Sequence, residues 1–141
     1  MAPRSAAQAY ARIGIETGVA SASPHGLVLM LYDGALRAIA DADAHLAAHR
    51  IPDKGAAISR AIQIIEQGLK LSLDTVRGGI IAGHLRELYD YMNRRLLLAS
   101  LRNDRAGLAE VARLLTELRG AWAEIANAAA QSPTAARHAT V

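Results

Sequence analysis

Ser23-Pro24-His25-Gly26-Leu27-Val28-Leu29-Met30-Leu31-Tyr32-Asp33-Gly34-Ala35-Leu36 is the stretch that decides the fold. Ser23 has the side chain of an N-cap, and Pro24 stands at the first helical position, where a missing N–H costs nothing. Apolar side chains then occur on every side of the helix for a turn and a half. A surface helix of a small domain needs one apolar stripe about 100° wide. This helix carries more. The surplus must be covered by other helices or left for a partner.

Working outward, the first helix is read from about Pro24 to Ala48. His49-Arg50-Ile51-Pro52-Asp53 interrupts it: Pro52 rules out continuation, and Asp53 is read as the next N-cap. A second helix is read from about Lys54 to Val76, stopping at Gly78-Gly79, a pair suited to a left-handed C-cap. A third runs from about Ile80 to Leu101 and is ended by Asn103. Asp104 then caps a fourth that continues to about Ala130. Connections this short force neighbouring helices to lie antiparallel. The expected fold is therefore all-α, an antiparallel up-down-up-down four-helix bundle over residues 23–131. Residues 1–22 are read as a short mobile N-terminal helical arm around Tyr10 and Ile13, joined by a strap containing Gly14 and Gly18. Residues 132–141, with Pro133 and no apolar pattern, are read as a disordered tail.

Composition narrows the function. At 141 residues the chain is read as one domain, large enough to bury a core without staples. It has 31 alanines and no Phe, a composition that favours helix. The absence of Cys excludes disulfides and thiolate metal sites and fits a reducing compartment. No apolar run approaches the roughly 18 residues that span a bilayer, so membrane insertion is not expected. Met1 to Ala9 has one Arg and no hydrophobic stretch after it, so no secretory signal is expected. A cytoplasmic protein is the expectation. The net charge is +3, and Arg supplies 14 of the 16 basic residues. These arginines are scattered and not interleaved with aromatics, so nucleic acid is not an expected partner. Asp33 and Asp90 stand four residues before Arg37 and Arg94, a spacing that supports helix.

The stripes differ between helices. The fourth has one: Leu108, Val111, Leu115, Leu118, Trp122, Ile125 and Ala129. The second has a core stripe at Ile58, Ile62, Ile65, Leu69 and Val76, and beside it another at Ala57, Ala61, Ile64, Gly68, Leu71 and Thr75. Small residues make that second stripe a trough. The third has Ile81, Leu85, Leu88, Met92, Leu96 and Ala99 in its seam, with Tyr91, Leu98 and Leu101 beyond it. Such an apolar trough suits an amphipathic helix or an extended peptide from a partner. Covering by the arm through Tyr10 and Ile13, or by a second copy in a weak homodimer, are the alternatives.

Chemistry is sparse. There is no Glu-x-x-His pair, nucleophile elbow or phosphate loop. His45 and His49 have metal-ligand spacing but lack an evident third ligand. Asp33, if near Arg94 or Arg95, is read as a structural ion pair. No catalysis, cofactor or metal is expected.

Three blocks carry a resemblance: Ser23-Pro24 with Leu27 to Ala35, Ala57 through Ile65, and Leu88-Tyr89-Asp90-Tyr91-Met92-Asn93-Arg94-Arg95-Leu96. With Leu118-Arg119-Gly120-Ala121-Trp122, they resemble the flagellar secretion chaperones of the FliS family, in that family's order and spacing. The resemblance covers roughly Tyr10 to Ile125. It implies a cytoplasmic chaperone with no enzymatic activity, which binds the disordered C-terminal region of flagellin and delivers it to the flagellar export gate. It leaves open an accessory co-chaperone. The family fold is an antiparallel four-helix bundle, and an N-terminal segment can occupy part of the client site. By resemblance, Tyr10, Tyr32, Asp33, Tyr91, Asn93 and Arg94 are candidate partner contacts. The stripes add Ile13, Ala57, Ala61, Ile64, Gly68, Leu71 and Leu98. Leu31, Gly34 and Ala35 are read as packing residues. His25 and Gly26 depart from the family pattern, in which an acidic residue follows the Ser-Pro pair.

Overall fold

The computed structural model describes residues 23–73 and 79–131, and all of its regular structure is helical. Helix α1 spans Pro24–Ala47. Ser23 caps it as expected, its hydroxyl accepting the Gly26 N–H at 3.0 Å. The helix closes through His49, which adopts a left-handed φ of 60°, and the Arg50 N–H reaches back to the His45 carbonyl at 2.8 Å.

Helix α2 begins at Ile51, before the expected start at Lys54. Pro52 lies in the first turn, where no intrahelical donor is needed, so the residue read as barring continuation of α1 also opens α2. Asp53 is a first-turn residue rather than the cap, and its charge suits the helix's positive end. The helix is composite: α geometry over Ile51–Ile64, a π turn over Ile65–Leu69, and a closing α turn over Lys70–Ser72. Its buried positions explain the π turn. Ile58, Ala61 and Ile65 follow steps of three and four, but Leu69 and Leu73 both follow steps of four. On an α-helix each step of four drifts by about 40°. The wider π turn absorbs that drift and keeps Leu69 and Leu73 on the core. Its i→i−5 bond is the Lys70 N–H to the Ile65 carbonyl.

Helix α3 spans Ile80–Arg102 and α4 spans Arg105–Gln131. Gly79, read from sequence as part of a C-cap, instead precedes α3 with a φ of 52° that favours glycine. Asn103 ends α3 in the left-handed conformation, and the Asp104 carboxylate accepts the Ala106 N–H at 3.0 Å. Both follow the expectation.

Cross-helix pairs fix the directions. Asp33 meets Arg119 and Asp43 meets Arg105, so α1 and α4 are antiparallel. Lys54 meets Ser100 and Lys70 meets Asp90, so α2 and α3 are antiparallel. Tyr91 meets Glu110 and Arg95 meets Asp104, so α3 and α4 are antiparallel as well. Helix α1 packs on α2 and α4, and α3 packs on the same two. The centre holds Leu31, Ile58, Ile65, Met92, Leu96, Leu108 and Leu115, all inaccessible or nearly so. Each such aliphatic side chain contributes about 1.5–3 kcal/mol by burial. Helices α3 and α4 approach closely at Gly107, where a Cβ would meet the Ala99 Cβ at 3.1 Å. Packing loosens toward the other end of these helices: Leu118 and Trp122 are half-buried, and Ile81 and Ile125, expected in the seams, are exposed.

Candidate functional site

The stripe read as a trough on α2 is mostly interior. Ala61 and Ile64 are inaccessible and Gly68 is buried, which corrects their reading as an open surface. A straight helix separates a core stripe from a neighbouring one. Here both members of Ile64-Ile65 and of Gly68-Leu69 turn inward at the π turn. Ala57 is half-buried in a furrow between α1 and α2 that it shares with Asp41, His45 and Asp53. Leu71, just past the π turn, is 50% exposed. Tyr10, Ile13 and Thr75 lie outside the described residues.

Tyr32 is also corrected. It is buried, and its hydroxyl lies 2.6 Å from that of Tyr89, reaching from α1 to α3 across the interior. Burial raises the pKa of both phenols, most of all at Tyr89. Asp33 is exposed, and it pairs with neither Arg94 nor Arg95 nor Arg37. It accepts two bonds from Arg119, at 2.5 and 3.2 Å. Asp90 likewise takes Lys70 at 2.7 Å rather than Arg94, and that ammonium holds its carboxyl below the usual range.

Helix α3 brings three of the expected residues together on its outward face. Tyr91, Arg94 and Leu98 follow one another at steps of three and four, and all are exposed. Tyr91 donates its phenol proton to Glu110, a bond that raises its own pKa and lowers that of the carboxylate. Arg95 joins the same carboxylate at 2.8 Å and Asp104 at 3.3 Å, so the α3–α4 edge is tied along its length. Asn93 sits on the α2 side. Its amide donates to Glu66 at 3.3 Å, while its Oδ1 is buried without a partner among the described residues.

The sequence reading missed other open apolar positions. Leu97, adjacent to Leu98 and outside the seam spacing, is 54% exposed, and Ile51 and Ile80 are open as well. The out-of-seam position of Leu97 was the available signal. It also missed an open groove of about 610 Å³ between α1 and α4, floored by Leu36, Ile39 and Leu108 and walled by Ala40, Ala109 and Ala112. The Asp43–Arg105 pair closes one end of it. Ala40 on one wall, facing Ala106, Ala109 and Ala112 at three-residue spacing on the other, would have signalled it.

The fold and this surface define an all-helical bundle whose accessible features are apolar side chains between ion pairs. A family model described as Flagellar protein FliS matches residues 6–129. The chain is 50% identical over 118 residues to the flagellar secretion chaperone FliS of Salmonella typhimurium strain LT2, covering 84% of this chain and 87% of that one. It is 45% identical over 117 residues to the FliS of Escherichia coli strain K12, covering 83% and 86%. It is 42% identical over 113 residues to the flagellar secretion chaperone FliSB of Pseudomonas aeruginosa strain PAO1, covering 80% and 89%. The chain belongs to the FliS family of flagellar secretion chaperones.

Proposed function

We propose that this chain is a cytoplasmic export chaperone for flagellin. It binds the disordered C-terminal region of the newly made subunit, keeps it from polymerising and aggregating, and hands it to the flagellar export gate. The observation that carries this reading is the family match over residues 6–129, nearly the whole chain. The surface is compatible with it: Leu71, Tyr91 and Leu98 offer apolar contacts, and Tyr91 also offers a hydroxyl at the edge. No described helix is long and apolar enough to cross a membrane.

Calorimetric titration with a peptide copying the C-terminal region of the cognate flagellin tests the proposal. One-to-one binding with a negative heat-capacity change is the expected result, since apolar burial and client ordering both contribute to that sign. Leu71→Arg and Leu98→Arg should each weaken binding about tenfold or more, or about 1.4 kcal/mol, with the helical circular dichroism retained. No binding by the unaltered chain would overturn the function. Full binding by both variants would move the client to another face.

A further inference from the structure

The α3–α4 edge holds a chain of four polar side chains that ends on a candidate client contact. Tyr91 donates its phenol proton to Glu110 Oε2, Arg95 Nε donates to Glu110 Oε1 at 2.8 Å, and Arg95 Nη1 reaches Asp104 Oδ2 at 3.3 Å. Through its other oxygen Asp104 accepts the Ala106 N–H at 3.0 Å. The chain therefore starts on the backbone of α4 and finishes on a ring of α3. Gly107 makes room for its middle member, since a Cβ there would meet Arg95 Nη1 at 2.9 Å. Arg95, Glu110 and Asp104 are half-buried, whereas Tyr91 is exposed.

Arg95 and its two carboxylates would hold this edge without a tyrosine. What Tyr91 gains from them is a fixed ring. An exposed side chain ordinarily hops between rotamers, and a partner that uses it must order it on binding. Here the far end of the phenol is anchored before any partner arrives. The direction of that bond is settled by chemistry, because an ionised carboxylate has lone pairs and no proton to give. The phenol oxygen can still accept from a partner, but its proton is committed. The bond raises the phenol pKa and lowers that of Glu110, while Arg95 beside the phenol works against the rise. Leu98 lies two turns further along the same face, about 10 Å away, and is exposed as well.

We propose that Glu110 is a positioning residue for the client: it fixes the Tyr91 ring at the α3–α4 edge in advance of binding and leaves the hydroxyl unable to donate to what binds there. Arg95 and Asp104 serve it by fixing the carboxylate. The client segment that lies on Tyr91 therefore presents apolar side chains or N–H donors, and not a carbonyl or carboxylate in need of a proton. This rests on the flagellin reading and adds to it how the ring is presented and which chemistry can meet it.

The test uses the full chain and the peptide copying the C-terminal region of the cognate flagellin. Glu110→Ala should weaken binding about fivefold, the scale of one side-chain hydrogen bond. Glu110→Gln, which keeps an acceptor for the phenol, should recover most of that loss. In a Tyr91→Phe background there is no phenol proton to hold, so Glu110→Ala should have no further effect. Equal weakening in both backgrounds would mean that Glu110 only stabilises the edge, and would overturn the proposal while leaving the flagellin reading intact. Full binding by Glu110→Ala would do the same. Tighter binding by Glu110→Ala would show that the client takes the released proton, reversing the assigned direction. The contact is also checked without peptide: by NMR, the Tyr91 ring carbon that bears the hydroxyl should titrate at lower pH in Glu110→Ala than in the unaltered chain. An unmoved titration would overturn the proposal. No binding of the peptide by the unaltered chain would remove the flagellin reading, and this one with it.

Discussion

Tyr32 and Tyr89 hold the least replaceable polar contact in the interior. Two buried hydroxyls 2.6 Å apart make a single hydrogen bond, so each is the other's reason for being tolerated. Removing one leaves the other buried without a partner, which costs about 1–3 kcal/mol, whereas removing both can be nearly neutral. Tyr89→Phe should therefore destabilise the chain more than Tyr32→Phe with Tyr89→Phe, and denaturant titration of the single and double variants checks it. The same pair sets an alkaline limit. Burial is the main cause that raises both phenols above their ordinary value of 10.0, the neighbouring phenol adding to it at Tyr89. A phenol with a raised folded pKa contributes stability that is complete below its unfolded pKa and is lost as pH rises toward the folded one. Stability should thus decline above about pH 10, and decline less in the double Phe variant. A decline of equal steepness in both proteins would show that other groups cause it. Neither hydroxyl's fate was legible in the sequence, because Tyr32 lies in a block that resembles a client motif and its partner is 57 positions away.

Among the elements, ends were more legible than registers. Ser23 and Asp104 cap their helices through side-chain oxygens, and Asn103 takes the left-handed turn, because each of these choices is made within a few residues. The start of α2 was placed too late, at Lys54, because the proline that bars continuation of α1 also suits a first turn. The π turn was hidden for a different reason. Counting stripes presumes a constant period, and a single wide turn shifts every later position relative to the earlier ones. Substitution distinguishes the two registers directly. On a straight α2, Ile64 and Leu71 share one stripe, and arginine at either would act alike. In this structure Ile64 is inaccessible and Leu71 is half exposed. Ile64→Arg should cost several kcal/mol, since an unpaired charge enters an apolar interior, and should leave little folded protein by circular dichroism and gel filtration. Leu71→Arg should change stability by about 0.5 kcal/mol or less, the usual range for a surface exchange. Similar destabilisation by both would restore the straight-helix register.

On the scale of the whole molecule, firm packing is concentrated away from the end where α1 starts and α4 finishes. The buried positions run through Leu31 to Leu46, Ile58 to Leu73, Tyr89 to Ala99 and Leu108 to Leu115. Toward that end Ile80, Ile81 and Ile125 are open, although the seam spacing assigned Ile81 and Ile125 to the core. Their exposure depends on where the neighbouring helices stop, which a stripe on one helix does not encode. Asp33–Arg119, an ion pair of this half of the bundle, is exposed on both sides, and such pairs contribute about 0–1 kcal/mol. Regions with few buried contacts open at lower free energy than the rest of a fold. Trp122, the one tryptophan, reports on this region: its ring lies 5.2 Å from that of His25, and its N–H donates to the His25 carbonyl at 3.1 Å. Its fluorescence should therefore change at lower denaturant than the far-ultraviolet circular dichroism, which sums over all the helices. Hydrogen exchange should show the same order, with amides near Trp122 and Ile80 exchanging before those around Met92 and Val111. Superimposable optical transitions would mean instead that the bundle unfolds as one cooperative unit, its sparsely packed end included.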